Sequence, residues 1–111
     1  MAEQARHLAR RVRQLALAAH DDFARASLAD LTTVARATLA SVTEAMHAGD
    51  PHLELRGFRD AQVLLGEVRT RAYRAFLGDA LDGARFDDLM ADASRTGREL
   101  ERAAQSARQR A

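Results

Sequence analysis

Ala48-Gly49-Asp50-Pro51 is the stretch on which the fold turns, because each of its last three residues ends or begins a helix. Gly49 suits the left-handed geometry just past a helix end, Asp50 can accept from the orphan amides of the next helix, and Pro51 fits a first helical position. Pro51 is also the only proline among 111 residues. Further along, Gly78-Asp79-Ala80-Leu81-Asp82-Gly83 has the same character, with Gly78 closing one helix and Asp82 or a neighbour capping the next. Two breaks leave three long segments. β-Branched residues are few and nowhere alternate with polar ones for long, so no strand pattern competes.

Each segment carries an apolar stripe at steps of three and four. In 52–77 the stripe is Leu55, Phe58, Gln62, Leu65, Val68, Ala72 and Phe76; in 84–109 it is Phe86, Leu89, Met90, Ala93, Gly97, Leu100, Ala104 and Ala107. Glu67 and Arg71 form a well-oriented i,i+4 pair, while Arg69, Arg71 and Arg74 suit a solvated face. Before the proline two stripes run out of phase. One is Leu8, Val12, Leu15, Ala19 and Phe23; the other is Leu28, Leu31, Ala35, Leu39, Val42 and Met46, and the slip falls at Asp21 and Asp22. Either one irregular helix spans about 4–48, or a leader helix ends near His20 and another starts near Asp22. A helix over 23–48 matches the roughly 39 Å of the other two, which favours a break. The expected fold is all-α: three long antiparallel helices packed up-down-up, extended by an N-terminal helix that makes a fourth where the break holds.

Composition narrows function mainly by exclusion. Without cysteine there are no disulfides, thiolate metal sites or cysteine nucleophiles, and without lysine no Schiff base or P-loop amine; all 17 basic residues are arginine. The formal net charge of +1 hides an asymmetry. Residues 1–20 carry Arg6, Arg10, Arg11 and Arg13 against Glu3, whereas 21–111 is mildly acidic. The chain therefore divides into a basic amphipathic leader, 1–20, and a bundle domain, 21–111. The leader is the one part suited to acidic lipid or nucleic acid, although the favoured reading makes its stripe the fourth wall of the bundle and its arginines a solvated face. The nearly neutral body disfavours nucleic-acid wrapping. No apolar run approaches the ~20 residues that cross a bilayer, and the start lacks the pattern of a secretory signal, so the expected location is the cytoplasm.

From about Asp22 to Ala111 the chain resembles one repeat of the PhoU family of phosphate-signalling regulators. The resemblance rests on three stretches. Ser41-Val42-Thr43-Glu44-Ala45-Met46-His47-Ala48-Gly49-Asp50 is similar to the family's close of its first helix, and Gly57-Phe58-Arg59-Asp60 to its acidic introduction of the second. Phe86-Asp87-Asp88-Leu89-Met90 with Gly97-Arg98-Glu99-Leu100-Glu101-Arg102-Ala103-Ala104-Gln105-Ser106-Ala107 looks like its closing signature. The resemblance implies a three-helix bundle and a non-enzymatic adaptor in phosphate transport or phosphate-responsive signalling, docking by a helix face on a transporter or sensor kinase. Family metal clusters use acids four apart on the second helix and an Asp after Leu-Glu-Arg on the third. Here Leu64 follows Asp60 at that spacing and Gln105 stands at the Asp position, so only Asp60 and Glu101 remain, and neither metal nor cofactor is expected. The usual regulator has two repeats, so a single one implies a homodimer, with Gly97, Ala104 and Ala107 as the close contact, or docking on another helical domain. The alternative is an unrelated helical-bundle interaction protein, a dimeric adaptor whose leader meets membrane or nucleic acid.

Other residues invite chemical readings that plainer ones outweigh. His47 and His52 flank the 49–50 turn but their spacing crosses a helix break, and His20 lacks the surroundings of a phosphorelay histidine. Asp87, Asp88 and Asp92 read as acids favoured near a helix N-terminus. The serines and threonines of 27–43 lie on a helix without the sharp turn of acyl chemistry. No catalytic residue is assigned.

Overall fold

The Asp21–Asp22 slip proves to be a true helix boundary, so the expected N-terminal extension is a separate helix. The computed structural model describes residues 2–111, as α1 (Glu3–Leu17), α2 (Asp22–Met46), α3 (Pro51–Leu77) and α4 (Gly83–Arg110), with no strand among the described residues. Each of the three later helices starts on an aspartate. Asp21 accepts from the Ala24 backbone N–H at 2.7 Å, Asp50 from His52 at 2.8 Å and Asp82 from Arg85 at 2.8 Å. Pro51 opens α3 as expected, and Gly49 takes φ +73° just before it.

The turn after α3 differs from the expectation in its detail. Gly78 stays at φ −88°, and the left-handed residue is Asp79 at φ 62°. The backbone N–H of Ala80 donates to the Ala75 carbonyl at 2.8 Å and that of Asp79 to Phe76 at 3.1 Å, which is a Schellman closure centred one residue later. A short aspartate tolerates that conformation better than most side chains do. Leu81, in the same link, folds back and is buried.

Links 18–21, 47–50 and 78–82 are short, so successive helices run antiparallel. α2 packs against α1 and α3, and α4 packs against α3 and α1, leaving α1 diagonal to α3 and α2 diagonal to α4. The result is an up-down-up-down four-helix bundle measuring 47 × 19 × 18 Å. One continuous core contains Leu8, Val12, Leu28, Leu31, Val42, Phe58, Leu65, Val68, Leu89 and Leu100. The leader's stripe is thus a wall of the bundle: Leu8 and Val12 are fully buried. At about 1.5 Å per residue α1 is some 22 Å long against about 37 Å for α2, so among the described residues three helices form the end of the bundle nearest Pro51.

Several stripe positions depart from their expected roles. Phe23, assigned to the leader's stripe, is 65% exposed and lies beside Gly78, and Met46 is also exposed. Ala104 and Ala107, read as part of a dimer face, are fully buried in this chain's own core, while Gly97 sits against Leu65 and Arg69 of α3. That stripe lets α3 and α4 approach each other and presents no surface for a second copy. Arg69 and Arg71 are likewise not a solvated face. Arg69 donates to the Ala93 carbonyl across to α4 at 3.3 Å, and Arg71 bridges Asp30 of α2 at 3.1 Å and Glu67 at 3.5 Å.

Candidate anion-binding groove

The acids grouped near the start of α4 are pulled apart by the fold. α4 begins at Gly83, its first turn holds no acid, and the carboxylate at its N-terminus is the cap Asp82. The macrodipole account of Asp87, Asp88 and Asp92 therefore fails. Asp87 and Asp88 are exposed, whereas Asp92 lies on the buried stripe between Leu89 and Ala93 and is fully enclosed. Its two oxygens are bound by the guanidiniums of Arg11 from α1 and Arg95 from α4, and His7 Nε2 stands 3.4 Å from Oδ2. Arg11 also reaches toward Asp88 at 4.0 Å. Asp92 thus ties α1 to α4.

Remaining acid and histidine candidates are occupied locally. Glu101 accepts from Gln62 Nε2 at 2.7 Å and lies 3.5 Å from the Arg59 guanidinium, while Asp60 is exposed on α3. Among the described residues no three His, Asp or Glu side chains gather as a metal ion requires. With Glu101 held by an amide and a guanidinium, and Gln105 beside it, the residues present do not fit the metal cluster of the resembled family. His47 Nδ1 donates to the Thr43 carbonyl at 2.8 Å, so it closes α2, and the backbone of His52 is held by Asp50. His20 is exposed and shares a shallow depression with Asp82 and Arg85. Asp82 is held below the usual carboxylate value of 3.8, chiefly by the hydrogen bond from the Arg85 backbone and also by the charge of the Arg85 side chain.

The side chains of α1 divide into two charged edges flanking the buried stripe. His7 and Arg11 face α4. Arg6, Arg10 and Arg13 fall within an arc of about 60° on the other edge, over roughly 10 Å of helix. Together with Arg36 of α2 they line a groove of about 440 Å³, whose remaining walls are Ala9 and Leu39. All four arginines are exposed, and among the described residues none lies within 4.0 Å of a carboxylate. The reason is in the sequence: α1 has one acid, Glu3, and α2 has none from Leu31 to Thr43.

No protein-family model, curated protein or solved structure matches the chain. The sequence groups Arg6, Arg10, Arg11 and Arg13 as one basic face, but the fold turns Arg11 to Asp92 on the opposite edge and leaves the other three in the groove. Arg36 gives no such signal, since a single arginine in the middle of α2 gains meaning only when packing sets it across the groove. Asp92 is in phase with Leu89, Thr96 and Leu100, and an acid at such a position has to be buried with a partner.

Proposed function

We propose that the protein is a non-enzymatic helical-bundle adaptor that docks an acidic partner through the basic face shared by α1 and α2. The observation that carries this reading is the groove of Arg6, Arg10, Arg13 and Arg36 with no carboxylate among its lining residues. Massed like charges repel in the isolated protein and gain most when an anionic surface arrives, which also speeds encounter. The deepest acid, Asp92, is neutralised by two guanidiniums, an arrangement suited to holding helices together and ill suited to proton transfer.

The similarity of residues 41–50, 57–60 and 86–107 to the PhoU family supports placing that partner among the components of phosphate transport or phosphate-responsive signalling. In that reading α1 is an addition to the family's three-helix repeat, and a homodimer supplies the second repeat. Insertion of α1 into a bilayer is disfavoured, because the apolar residues it would offer, Leu8 and Val12, are already in the core.

Binding of fluorescent polyglutamate at low and physiological salt tests the docking face. The expected result is saturable binding that weakens as salt rises and falls at least tenfold in the Arg6→Glu, Arg10→Glu, Arg13→Glu triple variant. Equal binding by wild type and variant would contradict the assignment of the face.

A further inference from the structure

We infer that the α1–α2 groove is a binding site for two or more closely spaced phosphate groups, carried by one oligophosphate or by adjacent phosphomonoester headgroups. The inference rests on the docking face proposed above and names the chemistry that the face recognises. Arg6, Arg10 and Arg13 form one wall and Arg36 stands across from them, with Ala9 and Leu39 completing the lining. At about 440 Å³ the groove falls within the ~300–1,000 Å³ of ordinary small-ligand sites.

Charge density selects the ligand class. Four guanidiniums border one small volume whose lining holds no carboxylate, and among the described residues the acid of α1, Glu3, forms no ion pair with them. A carboxylate brings one charge, whereas linked or clustered phosphates bring several in the same space, each with oxygens that accept a bidentate guanidinium fork. The lining holds no aromatic residue, so the groove is equipped to bind phosphates and offers no stacking platform for a nucleobase. Placement of the α1 wall does not depend on the ligand. Leu8 and Val12 are buried, and Arg11, turned to the opposite edge of α1, is bound to Asp92 of α4. The backbone positions of these arginines are therefore set by a helix that other residues hold, so binding has to order the side chains alone.

Such phosphates come either from a soluble oligophosphate or from a phosphomonoester lipid headgroup, and the experiment separates the two. Isothermal titration at constant ionic strength would compare inorganic tripolyphosphate with butanetetracarboxylate, a carboxylate of similar charge. In parallel, sedimentation would use phosphatidylcholine vesicles with and without phosphatidic acid. Arg10→Glu and Arg36→Glu alter exposed positions on opposite walls, and Arg108→Glu alters an exposed arginine of α4 outside the groove.

Saturable one-to-one binding of tripolyphosphate, weakened at least tenfold by Arg10→Glu and by Arg36→Glu but not by Arg108→Glu, is the expected result and assigns a soluble source. Binding confined to vesicles containing phosphatidic acid, with the same dependence on the variants, supports the site and assigns the headgroup as its source. Equal affinity for the tetracarboxylate, or equal loss in Arg108→Glu, would overturn the inference. If polyglutamate binds while neither phosphate probe does, the phosphate site is refuted and the docking face stands. If none of the three binds, both are refuted.

Discussion

Asp92 shows what a single buried charge asks of its surroundings. Its carboxylate is fully enclosed, yet the side chains that neutralise it, Arg11 and Arg95, remain 34% and 47% exposed. Removing the acid therefore leaves cations that can turn to solvent, so the penalty lies below the 3–5 kcal/mol of a wholly buried broken pair. Asp92→Asn, which keeps the shape and loses the charge, is expected to destabilise the protein by about 1–3 kcal/mol. The midpoint of urea unfolding should fall with no change in slope; an unchanged midpoint would show that the cluster contributes nothing. Asp82 offers a second test at this scale. Its folded value lies below 3.8, so its contribution is complete above that pH and is lost as pH falls through the lower folded value. Asp82→Ala should be less stable than wild type at neutral pH, and the gap should narrow as pH falls below about 3.8, leaving the part due to the cap's hydrogen bond to the Arg85 backbone, as followed by helicity during acid titration. A gap of unchanged size in strong acid would mean that the charge of the side chain contributes nothing.

Between helices, the closeness of packing is set by small residues. A Cβ added to Gly57 of α3 would lie 2.7 Å from the Ala45 Cβ and 3.1 Å from its Cα, so α2 and α3 touch nearly backbone to backbone there. Gly66, on the same helix, faces open space. Gly57→Ala is expected to destabilise by about 1–3 kcal/mol despite its better helix propensity, because the helices must part. Gly66→Ala should stabilise by about 0.5–1 kcal/mol through propensity alone. Thermal unfolding of the two variants should shift in opposite directions, and a shift in the same direction would refute the close approach. The three later helices were legible in the sequence to within a residue or two, since Gly49, Asp50, Pro51 and Asp82 act locally, whereas α1 ends at Leu17, three residues short of the expected His20, and its separation from α2 was one of two open readings. Asp79 in the left-handed position escaped notice because a Schellman closure is defined by hydrogen bonds across its turn, not by the presence of a glycine. The partners of those elements were less legible. Arg11 and Asp92 lie 81 residues apart, and periodicity within a helix says which face is buried without saying what meets it. For the same reason Ala104 and Ala107 looked available to a second copy although the core of their own chain takes them up.

For the whole molecule, α1 decides both the architecture and the proposed activity. Its stripe completes the core, its edge toward α4 is tied to Asp92, and its other edge supplies three of the four groove arginines. A detached leader would leave Arg36 alone on α2, so the groove exists only while α1 is docked. This dependence separates a bundle whose basic helix is structural from one carrying a basic tail. It can be read from native-state hydrogen exchange of the full chain with and without tripolyphosphate, which reports on each helix separately. The account predicts that the amides around Leu8 and Val12 are protected to a degree comparable with those around Leu28 and Leu31, and that the anion slows exchange further in α1 and near Arg36. Exchange of α1 at the rate of an unstructured segment, while α2, α3 and α4 stay protected, would contradict it.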